Sequence, residues 1–430
     1  MAWAFLTRAG SEADLVEELG STCDARRIAP GVVLAEKRPR GPDGAFREVC
    51  FARQAMRAER EVEADPEALV KTLAALMKQH RPRQKNAKSW TWALQLVAPD
   101  ASDPKDPRRA ELRALEEAGI EERLVAALPD AVASRRVPAD EADRIVQAWI
   151  VDGRDLLVGV TSALQVLSRW PGGKMRLRRP DDAPSRSGLK LEEAMHWVGV
   201  GPERGDLVAD LGAAPGGWSQ VALERGAVVI AVDPAKMKIP AQKKKFEHLQ
   251  QSAFDYTPQE TLDWVICDMA WRPREVAALL AKWGRRAWAR QLFVNFKLPM
   301  KKKAAILKEL LATLTEAGWE GVRARQLYHD RDEVTVFGWL NAGLVARGML
   351  APFELNSKKA KPKRGRSTDR GAAGRKSQDK KAAGRARGRG RTGERTGGRS
   401  GGRSGGRGGG RSGGRARGRS GGGPRGRGRR

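Results

Sequence analysis

Cysteine is scarce. Cys23, Cys50 and Cys267 stand far apart in 430 residues, with no C-x-x-C pair among them. That spacing gives neither a disulfide framework nor a cysteine zinc site, and a reducing compartment is the natural setting. Histidine is almost as rare. His80, His196, His248 and His329 are too dispersed in sequence to suggest a metal centre. No apolar run is long enough to span a bilayer. The opening MAWAFLTRAGSEADLVEEL becomes charged too early for a secretory signal. The expectation is a soluble cytoplasmic protein with no bound metal.

Acid is missing from one region only. Residues 357–430 hold 27 Lys plus Arg against 3 Asp plus Glu, while the whole chain has 81 against 52. The formal net charge of +29 is therefore mostly a property of this tail, and the remainder is nearly balanced. The tail repeats G-G-R-S and R-G-R and has almost no apolar side chains, so it cannot offset the entropy of ordering. It is expected to be disordered. Its arginines suit loose RNA contacts through charge and guanidinium stacking.

What is present is organised around LVADLGAAPGGW, from Leu207 to Trp218. An apolar strand runs into Asp210, a glycine-rich turn follows, and helical apolar spacing begins at Trp218. This is the first strand-to-helix turn of a nucleotide-binding sheet, the place where open α/β folds hold a ligand. A dinucleotide site would show G-x-G-x-x-G, but Ala214 occupies the second glycine position. The pattern is D-x-G-x-x-P-G-G. A second buried strand, VVIAVD, then ends in Asp233, where an acid can bind ribose hydroxyls. Two carboxylates without a phosphate cradle suit a cationic nucleoside, S-adenosylmethionine.

The rest of the chain divides around that turn. Residues 1–58 read strand, helix, strand, strand (WAFLT, EADLVEEL, VVLAEK, FREVCFARQ), a small ferredoxin-like α/β unit. Residues 59–170 form a second unit, with helix EALVKTLAALMKQ, strand SWTWALQLV, and two strands around Asp152-Gly153 that read as a hairpin. Its arginines Arg81, Arg83, Arg135 and Arg136 are candidates for phosphate contact or simply a solvated face. Residues 171–189 are a Pro/Gly-rich linker dense in Lys and Arg, a plausible track for a phosphate backbone. Residues 190–346 hold the sheet: HLQQSA as a third strand after the Lys243-Lys244-Lys245 run, LDWVICDMA as a fourth, QLFVNFKLP as a fifth, and VRARQLYHD with DEVTVFGWL as a closing antiparallel hairpin. The fold class expected is α/β, a mostly parallel Rossmann-like sheet with that terminal hairpin.

Four polar residues fall where such a sheet places working groups. Lys190 opens the helix before the first strand, Asp268 closes the fourth strand, Lys297 ends the fifth, and Glu333 begins the last. Methylating a hydroxyl requires an in-line arrangement of oxygen, methyl carbon and sulfur, and removal of the hydroxyl proton. A lysine that is partly buried next to another ammonium is a suitable base, because both effects favour its neutral form. On this reading Lys297 is the base, Asp268 and Lys190 position and tune it, and Glu333 is a hydrogen-bonding support. Amino-group methylation would favour an N-P-P-Y-like segment after the fourth strand, and here that place reads CDMAWRP.

DLGAAPGGW, ICDM, NFKLPMKK and RQLYHDRDEVTV together resemble the bacterial 23S rRNA 2′-O-ribose methyltransferase M family, and SRSGLKLEEA is similar to that family's lead-in to its sheet. The resemblance covers about residues 1–340 and is tightest after Pro184. It implies a ferredoxin-like N-terminal piece, a THUMP RNA-binding domain, a Rossmann-like methyltransferase domain and a Lys-Asp-Lys-Glu tetrad, matched by Lys190, Asp268, Lys297 and Glu333. It also implies methylation of a cytidine in the peptidyl-transferase loop, on 23S rRNA or a precursor large-subunit particle. Its cofactor contacts would fall on Ser187, Ala214, Pro215, Gly216, Gly217, Asp233, Ser252 and Asp268. Ala214 replaces the family's usual Cys, Ser252 stands where an acid is expected, and the Arg/Gly tail lies outside the family pattern. An RNA-binding assembly factor with an inactive methyltransferase domain, or a ribose methyltransferase for another RNA such as tRNA, are the competing readings.

Overall fold

The computed structural model describes residues 2–41, 49–80, 90–99, 105–239 and 245–340. The expectations for Arg81, Arg83, Lys243, Lys244, the turn through 42–48, the stretch 341–346 and the tail at 357–430 lie outside these residues.

The chain builds three sheets in succession. The first contains β1 (Ala2–Thr7), β2 (Ala25–Ala29), β3 (Val32–Ala35) and β4 (Ala52–Ala58) in the antiparallel order β2-β3-β1-β4, with α1 (Glu12–Leu19) between its first two strands. The second contains β5 (Arg60–Glu63), β6 (Trp92–Val97), β7 (Arg144–Ile150) and β8 (Asp155–Ser162) in the order β5-β8-β7-β6. It carries α2 (Pro66–Gln79), α3 (Pro107–Glu117), α4 (Ile120–Ala127) and the short α5 (Asp130–Ala133). The hairpin expected at Asp152-Gly153 joins β7 and β8. Helix α2 begins on a sequence signal: Asp65 accepts from the Ala68 N–H, and Pro66 follows at the first helical position.

The third sheet follows α6 (Gly188–Val198). Its strands are β9 (Leu207–Leu211), β10 (Val228–Val232), β11 (Phe246–Leu249), β12 (Leu262–Cys267), β13 (Ala289–Lys297), β14 (Trp319–Arg325) and β15 (Glu333–Leu340), in the order β11-β10-β9-β12-β13-β15-β14. Helices α7 (Gly217–Glu224), α8 (Pro273–Arg285) and α9 (Lys303–Glu316) cover it. The first five strands in that order are parallel, and β15 runs antiparallel to both neighbours. This is the expected Rossmann-like sheet with a terminal antiparallel pair. Its central strands are apolar on both faces because helices cover both. Trp264 on β12 stacks on Phe293 of β13 with ring centres 5.3 Å apart, and Phe337 of β15 tilts against Phe293.

Three strands differ from the sequence reading, and in the first and third side chains have taken backbone N–H groups that a ladder would have used. Of the described part of FREVCFARQ, Val49, Cys50 and Phe51 precede β4: the Cys50 and Phe51 N–H groups donate to the Glu18 carboxylate, and the Cys50 carbonyl accepts from the Gln326 N–H. The third parallel strand is Phe246–Leu249 rather than HLQQSA. Beyond Leu249 the chain turns, and Ser252 Oγ accepts from the Phe254 N–H. The sixth strand is Trp319–Arg325, not VRARQLYHD. The Tyr328 and His329 N–H groups donate to the buried Glu193 carboxylate, and the Leu327 N–H donates to Asp330. Strand β2, paired to β3, and strand β5, paired to β8, were not foreseen.

The N-terminal sheet is fused to the third sheet. Trp3, Phe5 and Leu15 share one buried apolar cluster with Leu280, Leu307 and Leu310, and Lys303 at the start of α9 lies 3.6 Å from Asp14 of α1. Cys23, Cys50 and Cys267 are buried and unbridged. Among the described residues no helix is long and apolar enough to cross a membrane.

Candidate active site

The carboxyl ends of β9, β10, β12 and β13 all open on one edge of the sheet, and the amino end of β15 meets them there because it runs the other way. The turn after β9 is shaped by glycine. Gly212 has φ +73°, and a Cβ there would lie 2.8 Å from Cβ of Met269. Gly216 has φ +117°, and a Cβ would meet Ile239 at 2.8 Å. At Gly217 it would come within 2.4 Å of both Ser185 Oγ and Ser187 Oγ. The backbone can take this path only without side chains.

Two carboxylates hold the turn. Asp233, just past β10, accepts from the Ala214 N–H at 3.1 Å and the Ala235 N–H at 2.7 Å. Asp210 is fully buried, which pushes its carboxyl up to about 7 against the opposing hydrogen bond that Ser219 Oγ donates at 2.6 Å. Ser187, at the start of α6, accepts from the Trp218 indole through its carbonyl at 2.9 Å, and its hydroxyl lies 2.7 Å from Ser185 Oγ. Pro215 accepts from the Lys238 N–H. Ser252 has its hydroxyl engaged in its own turn, and neighbouring Asp255 is exposed.

Beyond the turn lies an ion cluster. Lys190 Nζ is 3.1 Å from Asp268 Oδ1 and 3.5 Å from Glu333 Oε1. Burial works against the charged Lys190, but the carboxylates of Asp268, Glu333 and Asp330 outweigh it and raise its pKa above the ordinary lysine value. For Asp268 burial wins over Lys190, and its pKa rises. For Glu333 the balance reverses: burial is outweighed by Lys190 and by the Arg331 N–H that donates at 2.7 Å, so its pKa falls.

Lys297 stands directly across the β13–β15 ladder from Glu333. It is exposed, and among the described residues its ammonium meets no carboxylate. The expected partial burial therefore does not hold. Burial at the end of β13 falls on Phe296 and Leu298 on either side, while Lys297 projects from the open end. Nor is Lys190 free to act on Lys297, because its charge is engaged by Asp268 and Glu333.

The sequence reading missed the polar chain behind this cluster. Asn295 donates to Asp268 Oδ1 at 3.0 Å and accepts from Thr335 Oγ1 at 2.6 Å. Thr335 Oγ1 is also 3.0 Å from Asp330 Oδ2. Complete burial pushes the Asp330 carboxyl well above the usual range, against the hydrogen bonds it accepts from the Leu327 N–H and the Thr335 hydroxyl. A signal was there: Asn295 interrupts the apolar LFVNF strand that is covered on both faces, and a buried amide needs partners.

On the outer side, Arg8, Arg53, Arg176, Arg179, Arg186 and Arg331 line a cleft of about 940 Å³ that ends on Lys190 and Glu333. Arg53, from β4, lies over the Tyr328 ring at 5.7 Å and donates to the Leu327 carbonyl. The cleft therefore runs between the first sheet and the third, and the 171–189 segment forms part of its wall.

Residues 183–306 match the family model described as FtsJ-like methyltransferase. The chain is 34% identical over 362 residues to ribosomal RNA large subunit methyltransferase M of Alkalilimnicola ehrlichii, covering 78% of this chain and 94% of that one. It is 34% identical over 354 residues to the protein of the same name from Laribacter hongkongensis, covering 77% and 94%. The Pseudomonas fluorescens protein of that name is 42% identical over 200 residues, which are 43% of this chain and 54% of that one. The chain belongs to the ribosomal RNA large subunit methyltransferase M family.

Its cofactor is S-adenosylmethionine. The residues present fit that group: the turn's backbone packs so closely on Met269 and Ile239 that no Cβ is tolerated at Gly212 or Gly216, it bears no cationic side chain from Leu211 to Ser219, and Asp233 accepts from its Ala214 N–H. A turn without cationic side chains of its own, held by Asp233, favours a positively charged nucleoside over a pyrophosphate.

Proposed function

We propose that this chain methylates a ribose 2′-hydroxyl of large-subunit ribosomal RNA, with Lys297 as the general base. The observation that carries the reading is the meeting of Lys190, Asp268 and Glu333 in one ion cluster, directly opposite the unpaired Lys297, at the ligand edge of the sheet. When bound, S-adenosylmethionine supplies an electrophilic methyl group on a sulfonium. The turn from Ala214 to Gly217, with Ser187, Asp233, Ser252 and Asp268, holds it. Lys297 takes the hydroxyl proton as the oxygen becomes nucleophilic. Lys190 stays protonated between its carboxylates and fixes Asp268 and Glu333. Asn295 and Thr335 lock the Asp268 carboxylate from behind, so the group facing the substrate does not need to reorganise during transfer.

The substrate reaches this point along the arginine-lined cleft, whose charge suits a phosphate backbone. Residues 59–170 act as the RNA-binding, THUMP-like unit, 1–58 as the ferredoxin-like wall, 171–189 as the basic linker and 190–346 as the methyltransferase domain. The tail from 357 to 430 adds contacts without sequence preference. The target is a cytidine of the 23S peptidyl-transferase loop, free or in a precursor particle, as the family resemblance implies.

The test is transfer from labelled cofactor to unmodified 23S rRNA by the native protein and by Lys297→Ala, with the product mapped by alkali. Methylation of a 2′-hydroxyl protects the adjacent phosphodiester. A resistant site with the native protein and none with the variant supports the reading. Label at an alkali-sensitive position would mean base methylation and would overturn the role of Lys297.

A further inference from the structure

Four large apolar side chains are exposed among the described residues: Leu164, Trp170, Trp271 and Met300. One of them, Trp271, lines the same cleft as Lys297, and another, Met300, follows Lys297 by three residues. Trp271, in the CDMAWRP segment, is 51% exposed, and Met300 is 92% exposed. That cleft, of about 780 Å³, is lined by Trp271, Arg272, Lys297, Leu298, Pro299 and Ile306. It is separate from the arginine-lined cleft and shares none of its lining residues.

The Trp271 indole is held, not loose. Its N–H donates to Glu275 Oε2 at 2.6 Å, and Glu275 is in turn held by Arg272 at 2.9 Å. Its ring rests against Phe254, with centres 6.0 Å apart and planes at 55°. Its backbone N–H donates to the Met269 carbonyl at 2.8 Å, which places the residue one tight turn from Asp268. With the N–H satisfied inside the protein, what the indole offers solvent is its aromatic surface. An exposed aromatic ring that is fixed in orientation has already lost the freedom that stacking would otherwise cost.

The surroundings narrow the occupant. Lys297, Lys301 and Lys302 are exposed near the cleft, together with Arg272, while Glu275 is engaged by Trp271 and Arg272. A ligand that combines a flat π surface with negative charge fits both features, and a nucleotide has that combination. We propose that Trp271 is a positioning residue that stacks on the base of the nucleotide being methylated, holding its ribose against Lys297. This rests on the reading of Lys297 above. Stacking of a base on an aromatic side chain is tolerant of base identity. The indole therefore fixes the placement of the target nucleotide and leaves its selection to contacts elsewhere along the RNA.

The experiment compares the full-length native protein with Trp271→Ala, Trp271→Leu and Trp271→Phe. Transfer to unmodified 23S rRNA is followed by kcat and KM, and the affinity for labelled S-adenosylmethionine is measured by equilibrium dialysis. The expected result is a fall in kcat/KM of about tenfold or more for Ala and Leu, substantial recovery for Phe, and unchanged cofactor affinity in all three. Equal losses in Phe and Ala would overturn the proposal, because the aromatic face would not matter. So would a parallel loss of cofactor affinity, which would assign the ring to the cofactor's own base, or unchanged transfer to naked rRNA with a defect confined to protein-bearing particles, which would make Trp271 a protein contact. Transfer by the native protein with no difference in Trp271→Ala overturns this inference alone. No transfer by the native protein to any rRNA overturns the functional reading and this inference with it.

Discussion

The two halves of the sheet's ligand edge are made of different materials. Around β9 and β10 the site is backbone: a turn whose shape depends on missing Cβ atoms and whose N–H groups are held by Asp233. Around β12, β13 and β15 it is side chain, with Lys190, Asp268, Asn295, Glu333 and Thr335 each placed by a specific hydrogen bond or ion pair. The first half responds to added volume and ignores most changes of functional group. The second responds to the loss of single polar atoms. Ala214, where the resembling family has Cys, belongs to the tolerant kind, because its contribution to the turn is a backbone N–H.

That contrast can be broken experimentally, and the largest effect is expected at the side-chain end. Lys297→Ala should lower the rate of transfer by about 100-fold or more while leaving labelled-cofactor binding intact. Equal loss of binding would mean that the two halves are not separable. Next, Lys190→Met should leave the Asp268 and Glu333 carboxylates close together without their cation. A loss of roughly 3 kcal/mol in unfolding free energy is expected from urea titration, as for a broken buried pair. The backbone half is probed by Gly212→Ala. Positive φ and the approach of Met269 should cost about 1–3 kcal/mol and weaken the cofactor. Ala214→Cys at the same turn should do neither.

The smallest expected effect is a dependence on pH. Asp210 has a folded-state pKa of about 7 against an ordinary value of 3.8, so the folded protein holds a proton that the unfolded chain has released between those values. Its contribution to stability is therefore greatest near the acid end of that window and declines as pH rises through about 7. Urea midpoints of the cofactor-free protein at pH 5 and pH 7.5 should show this decline, and Asp210→Asn should flatten it. A native midpoint with no fall over the interval, or an identical fall in Asp210→Asn, would contradict the assignment. Glu333 acts in the opposite sense: its lowered pKa gives stability that is present above the ordinary value of 4.5 and lost as pH falls through the folded value.

The same division explains what could be read from sequence. The backbone half announces itself, because glycines at fixed spacing between a strand and a helix have few other uses, and the mostly parallel sheet with a terminal antiparallel pair was legible in the apolar strands. The ends of elements were less legible where acids intervened. Glu18 and Glu193 take N–H groups that the apolar pattern would assign to strands, and a carboxylate distant in sequence leaves no local trace of this. Lys190, Asp268, Lys297 and Glu333 were found by their positions at element ends, and three of them do form one ion cluster. Their electrostatics were not legible. Which lysine is paired and which is exposed depends on a ladder register between segments separated by α9 and β14.

That register has a consequence for how the sequence can vary. Lys297 and Glu333 face each other because β13 and β15 are zipped together along their whole length, from Gln291 opposite Trp339 to the pair itself. Helix α9 and strand β14 form a detour between the two, which turns back at Ala317 and Gly318, at the end of the ladder away from the pair. Residues inserted or removed at that bend would change the length of the excursion without changing which side chain stands opposite which. The spacing between lysine and glutamate along the chain is free to drift, while their spacing in space is set by the zipper.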